Sequence, residues 1–280
     1  MVFEPEIIAG KFPHRAERWT RVSGYRAART VRNGPLCGTR YTMPAADANV
    51  KGLKLAFFSD LHYTGTPKEQ QIVLAAVELL EDFRPDYLLF GGDLTVHSME
   101  LETSFSALER FRKIDCPKLA VPGNWESGKP WLPPQFWYDK YRRYGFRYLC
   151  NEFFSDRRCA IYGLADASGA QLPRRPQWPE TGSRQRIILT HRADSVVAID
   201  SRTLSEPLAP LILCGHNHGG QVRLPGIGPL YRRQSCYGAR FDYGVYRHSH
   251  GERMIITSGM GETCPIRFLC RREIVLIELQ

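Results

Sequence analysis

The sequence predicts an α/β fold with layered strands, and three of its features support that class. From residue 52 onward, short apolar runs alternate with segments of helical periodicity, a pattern typical of sheets covered by helices. After residue 220 the pattern changes to short strands separated by glycine and proline turns. The chain of 280 residues is long enough to bury one sizeable core. We therefore expect a single domain over residues 51–280, preceded by a basic arm over residues 1–50.

The predicted elements follow in order along the chain. The run "GLKLAFFSDLH" is typical of a buried strand, and Thr66-Pro67 then begins a helix through "EQQIVLAAVELLEDF" that ends at Arg84-Pro85. Two further strands, "DYLLFGGDL" and "PKLAVPGN", lie on either side of an amphipathic helix in "LETSFSALERFRK". In the second half, strands are predicted in "RIILTH", "LAPLILCGHNHGG", "MIITSGM" and "REIVLIEL". Residues 168–183 are predicted to form an exposed loop.

Charge and cysteine usage restrict the partners and the compartment. The net charge of +9 produces a positive field that attracts anionic substrates or an anionic membrane surface. The sequence has no zinc-finger spacing, basic zipper or RNP-type motif, so we do not expect nucleic acid as a partner. The eight cysteines are scattered, and neither a signal peptide nor a run of roughly 18 apolar residues is visible. We therefore expect a cytoplasmic protein; the oligomeric state is left open.

Two basic stretches that contain aromatic residues each allow two interpretations. The arm over residues 1–50 can lie on an anionic membrane or wrap the domain as a solvated segment. The stretch over residues 131–148, "WLPPQFWYDKYRRYGFRY", has the aromatic and arginine content of a lipid headgroup boundary. However, Trp137, Tyr141 and Tyr144 also have the spacing of one buried helix face. Peripheral attachment to the cytoplasmic face of the inner membrane is therefore one of the alternatives.

Residues that can hold a metal follow five of the predicted strands. They are Asp60, His62, Asp93, Asn124, His191, His216 and His218. The ends of neighbouring strands are where an α/β fold gathers a site. Two carboxylates, one amide oxygen and four imidazoles form a mixed nitrogen and oxygen set that suits Mn, Fe or Zn better than Mg or Ca. Each residue alone is a weak signal, but the series of five strand ends predicts a metal site.

The spacing of these motifs resembles that of the calcineurin-like metallophosphoesterases. The family signature is D-x-H, G-D, G-N-H-[DE], H and G-H-x-H. It appears here as Asp60-Leu61-His62, Gly92-Asp93, Gly123-Asn124-Trp125-Glu126, His191 and Gly215-His216-Asn217-His218. The segments "GHNHGGQVRLPGIGPLY" and "PIRFLCRREIVLIEL" resemble the bacterial YkuE/YaeI-like branch of this family. The resemblance extends from about residue 41 to the end of the chain.

The resemblance implies a four-layer metallophosphoesterase sandwich of two mixed β-sheets flanked by helices. It also implies two divalent metal ions, with Mn²⁺ as our choice and Fe, Zn and Mg as alternatives. By resemblance, the first ion is held by Asp60, His62 and His218, the second by Asn124, His191 and His216, and Asp93 bridges them. A water or hydroxide between the ions is the implied nucleophile, and Asp93, Asn124 and His191 are the residues expected to act in catalysis. Two cations at such a site lower the pKa of a bound water and hold a phosphoryl oxygen.

Trp125 departs from the family pattern, in which this position is a histidine. In the family that histidine lies near the scissile phosphorus and is thought to protonate the leaving oxygen, whereas an indole cannot deliver a proton. A phosphate monoester, with a second pKa of about 6, leaves as a stable anion without that proton. Trp125 therefore favours an enzyme that cleaves a phosphoric anhydride. The resemblance supplies an example in a chlamydial-type UDP-2,3-diacylglucosamine pyrophosphatase, which releases UMP and 2,3-diacylglucosamine 1-phosphate (lipid X) in lipid A synthesis.

Two alternatives to this substrate stay open. One is a phosphodiesterase of broader specificity that acts on another lipid or nucleotide. The other is an inactive, metal-containing binding protein, although an intact ligand set argues against it. In the active cases we expect Trp125, Arg192 and Arg267 to bind the substrate; for the two arginines, a solvated surface position is the alternative.

Overall fold

Two seven-stranded sheets form the centre of the fold. The computed structural model describes residues 19–22, 29–33, 35–96, 101–169, 171–179, 184–199, 209–231, 241–248 and 251–280. The strands are β1 (Trp19–Arg21), β2 (Arg29–Asn33), β3 (Leu36–Met43), β4 (Lys54–Phe58), β5 (Tyr87–Phe90), β6 (Lys118–Ala120), β7 (Arg147–Tyr148), β8 (Glu152–Ser155), β9 (Cys159–Gly163), β10 (Gln185–Leu189), β11 (Leu211–Cys214), β12 (Arg223–Leu224), β13 (Gly228–Pro229), β14 (Gly244–His248), β15 (Arg253–Ile256) and β16 (Glu273–Leu279). The α-helices are α1 (Pro67–Phe83), α2 (Leu101–Glu109), α3 (Asn124–Ser127), α4 (Pro134–Arg143) and α5 (Ala193–Ala198).

Both sheets are mixed. The first has the order β2-β3-β16-β4-β5-β6-β7, in which β4 to β7 run parallel and β16 is antiparallel to β4. The second has the order β1-β14-β15-β11-β10-β9-β8, in which β9, β10, β11 and β15 run parallel. Strands β12 and β13 form a separate antiparallel hairpin. The parallel strands of each sheet therefore present their carboxyl ends at one edge.

The fold has four layers, two sheets between two layers of helices, and three hydrophobic clusters fill the spaces between them. Successive strand residues point to opposite faces, so Phe57 of β4 packs toward the second sheet with Ile187, and Phe58 packs toward the helices. Helices α1, α2 and α4 cover that outer face, where Tyr141 belongs to the same cluster as Phe58. Helix α5 covers the outer face of the second sheet through Val196. The predicted four-layer sandwich is confirmed.

Helix α1 begins and ends where the sequence predicts. The Thr66 hydroxyl accepts a hydrogen bond from the Glu69 backbone N–H, and the Glu69 carboxylate accepts one from the Thr66 backbone N–H. This reciprocal cap satisfies two donors that a helix start otherwise leaves unpaired. At the other end, Arg84 adopts a left-handed φ of 51° immediately before Pro85, which cannot continue the helix.

Helix α4 supports the buried-face interpretation for Trp137, Tyr141 and Tyr144. Trp137 and Tyr141 are 5% and 0% exposed, and Tyr144 is half-buried. Their rings surround Phe105 of α2, with centroid distances of 6.4, 5.1 and 5.6 Å respectively. These aromatic side chains belong to the core and are not placed at a headgroup boundary. Across the described ranges, no helix has both the length and the apolar character that a bilayer span requires.

The described part of residues 1–50 contributes strands to both sheets. Strand β3 lies inside the first sheet and pairs in parallel with β16 over its length. Tyr41 and Met43 of β3 are buried in the cluster between the sheets. The run "LCGTRYTM" contains Gly38 and Arg40, which obscure its strand pattern in the sequence. The stretch predicted as an arm therefore includes a strand of the core; where the domain begins stays a prediction, and residues 1–18 lie outside the described part.

Candidate metal centre

The seven predicted metal-binding residues lie together where the two sheets meet. In the first sheet, the parallel neighbours β4, β5 and β6 are followed by Asp60 and His62, by Asp93 and by Asn124. In the second sheet, the parallel neighbours β10 and β11 are followed by His191 and by His216 and His218. The expectation that strand ends would gather these side chains is therefore met by their positions.

Asp60, His62 and His218 form the first cluster. Their possible ligand atoms all lie within 4.8 Å of one another, and the side chains are buried. The Nε2 atoms of His62 and His218 are 3.1 Å apart, and His218 Nε2 is 3.5 Å from Asp60 Oδ1. Two imidazole nitrogens and a carboxylate oxygen that converge in this way make a site for one cation.

Asp93, His191 and His216 form the second cluster, whose ligand atoms also lie within 4.8 Å of one another. His191 Nε2 is 3.2 Å from Asp93 Oδ2 and 3.1 Å from His216 Nδ1. Asn124 adds an amide oxygen, since its Oδ1 lies 2.9 Å from His191 Nε2. The second cluster thus combines the predicted amide, carboxylate and imidazole groups.

One oxygen of Asp93 lies between the two clusters. Asp93 Oδ2 is 3.8 Å from His62 Nε2 of the first cluster and 3.2 Å from His191 Nε2 of the second. This atom is buried and has no hydrogen bond of good geometry, whereas Oδ1 accepts one from the Trp125 backbone N–H at 2.9 Å. A buried carboxylate oxygen without a donor is costly unless a cation faces it. The residues present therefore fit two divalent ions that share this oxygen.

The electrostatics of the second cluster follow from burial and from the Asp93–His191 pair. Burial by itself would raise the pKa of Asp93, but His191 and His62 outweigh it and hold that pKa below its usual range. Burial by itself would lower the pKa of His191, but the Asp93 carboxylate raises it to about 9. A cation bound here takes the place of that proton, because imidazole binds a metal in its neutral form.

The backbone is strained at the site. Five site residues have positive φ angles: Asp60 (56°), His62 (44°), Asp93 (58°), His216 (76°) and His218 (47°). This left-handed conformation is uncommon outside glycine and costs about 1–2 kcal/mol per residue. Hydrogen bonds between the strand-end turns hold it, with Asp60 N–H donating to Gly92 O at 2.9 Å and His62 N–H donating to Asp93 O at 3.1 Å. Strain of this kind is characteristic of functional sites.

Two motif glycines are required by close approach to the carboxylates. A Cβ atom on Gly123 would lie 2.2 Å from Asp93 Oδ1, and one on Gly215 would lie 2.3 Å from Asp60 Oδ2. Both distances are well inside van der Waals contact. Gly123 and Gly215 therefore let the Asn124 and His216 turns pack directly against the two aspartates.

Glu126 holds two strand-end turns together, although we did not predict it as a site residue. Its carboxylate is buried and accepts hydrogen bonds from the backbone N–H groups of Asp93 (3.0 Å), Leu94 (2.8 Å) and Gly123 (2.9 Å). The acidic position at the end of the G-N-x-[DE] motif was the sequence signal for it. On the other side of the site, His191 Nδ1 lies 2.8 Å from Gly91 O, which directs Nε2 toward the second cluster.

Trp125 lies beside the first cluster. It is half-buried on α3, and its ring is edge-on to the His62 ring with a centroid distance of 6.4 Å. The buried Lys129 places Nζ 5.6 Å from the centroid of the indole and donates a hydrogen bond to Trp125 O at 2.8 Å. The indole therefore occupies the neighbourhood of the metal-binding histidines.

The two predicted substrate arginines have different surroundings. Arg192 follows His191 and is 5% exposed, with Nε 3.2 Å from Oδ2 of the fully buried Asp166. Asp166 was not predicted, although it is an acid that follows a buried strand, β9. Arg267 donates to the carbonyl oxygens of Ser258 at 2.8 Å and Gly261 at 2.5 Å, and its role in substrate binding stays a prediction.

The four-layer fold and the paired clusters are those of a dimetal phosphohydrolase, and comparison with known proteins gives the family. The sequence profile of the calcineurin-like phosphoesterases matches residues 53–220, more than half of the chain, so this protein belongs to that family. It is 27% identical to the phosphodiesterase YaeI of Escherichia coli (strain K12) over 237 residues, which cover 82% of this chain and 83% of YaeI. It is 25% identical to the uncharacterized metallophosphoesterase YkuE of Bacillus subtilis (strain 168), and the match covers 93% of this chain and 91% of YkuE. Among solved structures, a dimetal phosphatase from Danio rerio shares the fold with a TM-score of 0.50 at 11% identity, covering 82% of this chain and 100% of that one.

These findings confirm the predicted class of enzyme. The chain is a metal-dependent hydrolase of phosphoesters, and it has a dinuclear divalent metal site. The predicted resemblance to the YkuE/YaeI-like branch is likewise confirmed.

Proposed function

We propose that this enzyme cleaves a phosphoric anhydride, and that its substrate is UDP-2,3-diacylglucosamine, which it converts to UMP and 2,3-diacylglucosamine 1-phosphate (lipid X) in lipid A synthesis. The observation that carries the proposal is Trp125, which stands where the family pattern has a histidine and lies beside the His62 ring. An indole cannot donate a proton to a leaving oxygen. A phosphate monoester does not need that proton, since its second pKa of about 6 makes it a stable anion.

We assign the seven clustered residues to two ions. Asp60, His62 and His218 would hold the first ion, Asn124, His191 and His216 the second, and Asp93 would bridge them through Oδ2. When bound, two such ions activate a water and stabilise charge on the phosphoryl oxygens. Mn²⁺ is our choice, because the donor set mixes imidazoles with oxygens and contains no thiolate. Asp93, Asn124 and His191 are the residues that we place closest to the reaction.

Arg192 is the second substrate-binding residue that we propose, beside Trp125. Its guanidinium is held by Asp166 through Nε, and the residue directly follows His191 of the second cluster. A planar guanidinium matches the geometry of a phosphate group, and its restraint by Asp166 reduces the entropy lost on binding. This role would place the cation next to the second ion, where the charge on the substrate is concentrated.

A lipid substrate also supports a location. The net charge of +9 favours an anionic surface, and we propose that the enzyme works peripherally at the cytoplasmic face of the inner membrane. A second candidate function is hydrolysis of a phosphodiester in another lipid or nucleotide, which is favoured by the name of the relative YaeI, a phosphodiesterase.

The first test is hydrolysis of UDP-2,3-diacylglucosamine in the presence of Mn²⁺, with release of UMP measured beside hydrolysis of bis-p-nitrophenyl phosphate. We expect UMP from the wild type and none from Asp93→Ala, which removes the shared oxygen. Turnover of the diester without UMP would keep the metal site and replace our substrate by the phosphodiester alternative. Absence of both reactions in metal-loaded protein would instead support a binding protein.

The second test addresses Trp125 directly by varying the leaving group. We expect Trp125→His to accelerate hydrolysis of a diester with an alkyl alcohol as leaving group by about 10²–10⁴-fold, the usual contribution of a general acid. The rate of UMP release at saturating substrate should change little, because its leaving group needs no proton. Trp125→Phe is the control that keeps an aromatic ring without gaining an acid, and it should accelerate neither reaction. Equal acceleration of both substrates by Trp125→His would contradict the anhydride argument.

A further inference from the structure

Large apolar side chains are exposed in two short segments close to the metal centre. Of the nine such side chains in the described part of the chain, six come from these segments, and they are 52–68% exposed. They are Ile227, Leu230, Tyr231, Ile266, Phe268 and Leu269, and we call this set the rim patch. Single exposed apolar residues are ordinary, but a contiguous group of them marks an interaction surface.

Backbone pairing makes the two segments one surface. The first contains the β12–β13 hairpin, and the second is the loop that precedes β16. Arg223 N–H donates to Phe268 O and Phe268 N–H donates to Gln221 O, each at 2.9 Å. The Gln221 side chain also donates to Cys264 O and Ile266 O, at 2.7 and 3.0 Å. The two segments that carry the exposed side chains are therefore held side by side.

The conformation of Leu269 adds to the unusual character of the rim patch. This leucine has a φ of 50°, a left-handed conformation that is unfavourable for a side chain with a Cβ. It is also 61% exposed, so burial within the chain does not offset the strain. A strained and exposed apolar residue is what a surface built for contact would retain.

The charge around the rim patch favours an anionic partner. Residues 263–272 contain three arginines and no acid, and the net charge of the whole chain is +9. Arg272 pairs with Glu262, and Arg223 of the hairpin pairs with Asp242, while Arg271 is exposed. A second copy of this chain bound through the same surface would bring like charges together. Anionic lipid satisfies both the apolar and the basic character.

The rim patch adjoins the first metal cluster. His218 O accepts hydrogen bonds from Arg267 Nη1 at 3.5 Å and from the Cys270 thiol at 3.2 Å, so the loop is anchored to a site residue. The other segment starts at Gln221, immediately after the Gly219-Gly220 turn that follows His218. A membrane that contacts this side of the protein would therefore lie close to the first cluster.

We propose that the rim patch is the surface by which this enzyme docks on an anionic lipid membrane. Its apolar side chains enter the interfacial region, and the exposed Arg271 contacts the lipid phosphates. Docking in this way presents the metal centre to substrates held in the bilayer. Only the purpose of docking, which is access to a lipid substrate, rests on the proposed function. Binding to the membrane is measured without turnover.

The test is cosedimentation of the full-length, metal-loaded protein with vesicles of phosphatidylcholine alone and of phosphatidylcholine mixed with phosphatidylglycerol. We expect binding to the anionic vesicles, weakened by added salt. The double substitution Ile227→Ser with Phe268→Ser should reduce that binding by about tenfold or more, given the transfer free energy of two large apolar side chains. Leu172→Ser is the matched control, since Leu172 is 68% exposed outside the patch, and it should leave binding unchanged.

Hydrolysis of bis-p-nitrophenyl phosphate shows whether each variant keeps its fold and its metal site. If the first double variant loses that activity, Leu230→Ser with Ile266→Ser replaces it. Failure of the wild type to bind anionic vesicles, or full binding by an active double variant, would overturn the proposal. So would conversion of a dimer to a monomer by the double substitution without a change in vesicle binding, since a second copy would then cover the patch. Release of UMP in detergent micelles tests the proposed function separately, because it needs no vesicle.

Discussion

Helix α4 and the rim patch both combine large apolar side chains with arginines, yet they place them in opposite directions. In α4, Trp137 and Tyr141 are 5% and 0% exposed, and their rings pack around Phe105. In the rim patch, Phe268 and Leu269 are 52% and 61% exposed. Side chains of similar composition are therefore buried in one region and exposed in the other. Periodicity distinguishes them, because only the helix can bring residues at i, i+4 and i+7 onto one face.

The physical reason lies in the backbone of each region. A helix satisfies its own hydrogen bonds and can turn an apolar stripe inward, so α4 covers the first sheet. The hairpin and the loop of the rim patch use their backbone groups to pair with each other, as in the contacts of Phe268 with Gln221 and Arg223. Within the described residues, no second layer covers these short segments. Their apolar side chains consequently face outward.

The largest effect that distinguishes the two regions is on stability. Tyr141→Ala should lower the free energy of unfolding by about 3–5 kcal/mol, because it empties a fully buried aromatic position. Phe268→Ala should change it by less than about 0.5 kcal/mol, because the ring is already exposed. Urea unfolding of both variants measures the difference. Equal losses would show that the rim patch is part of the core, and the contrast between the regions would fail.

A smaller effect of opposite sign is expected at Leu269. Leu269→Gly should raise the free energy of unfolding by up to about 1 kcal/mol, since glycine adopts a positive φ without the strain of a Cβ. The same substitution should weaken binding to anionic vesicles. Leu269→Ala is the control that keeps the strain and removes the apolar side chain, so it should weaken binding without a gain in stability. A loss of stability in Leu269→Gly would contradict this account of the leucine.

The sequence was most informative where chemistry restricts residue type. Asp60, Asp93 and His191 could be predicted because metal ligands of a few kinds recur at the ends of predicted strands. The positive φ angles of these turns could not be predicted in this way, because they depend on hydrogen bonds between segments distant in sequence. It also missed Glu126 and Asp166, whose partners are a set of backbone N–H groups and a guanidinium that only the fold brings near.

Local pattern was a weaker guide to which surface a segment faces. The burial of β3 follows from its pairing with β16, which comes more than two hundred residues later in the chain. The two segments of the rim patch are joined by the bridge between Val222 and Phe268, again a contact between distant segments. Neither pairing has a signature within its own stretch of sequence. The spacing of the α4 stretch indicated its buried face, because the periodicity of a helix is visible within its own sequence.

The smallest expected effect concerns Trp131, which tests whether the α4 region also contacts lipid. Trp131 is 66% exposed and precedes α4, so it is the aromatic residue of this region best placed to reach a membrane. We expect Trp131→Ser to leave both the free energy of unfolding and vesicle binding nearly unchanged, because the large aromatic side chains of α4, Trp137 and Tyr141, face the core. Cosedimentation beside the Ile227→Ser and Phe268→Ser double variant measures this. A loss of binding as large as that of the double variant would mean that the membrane contact extends to the start of α4. Both regions would then bind lipid, although the aromatic face of α4 is buried.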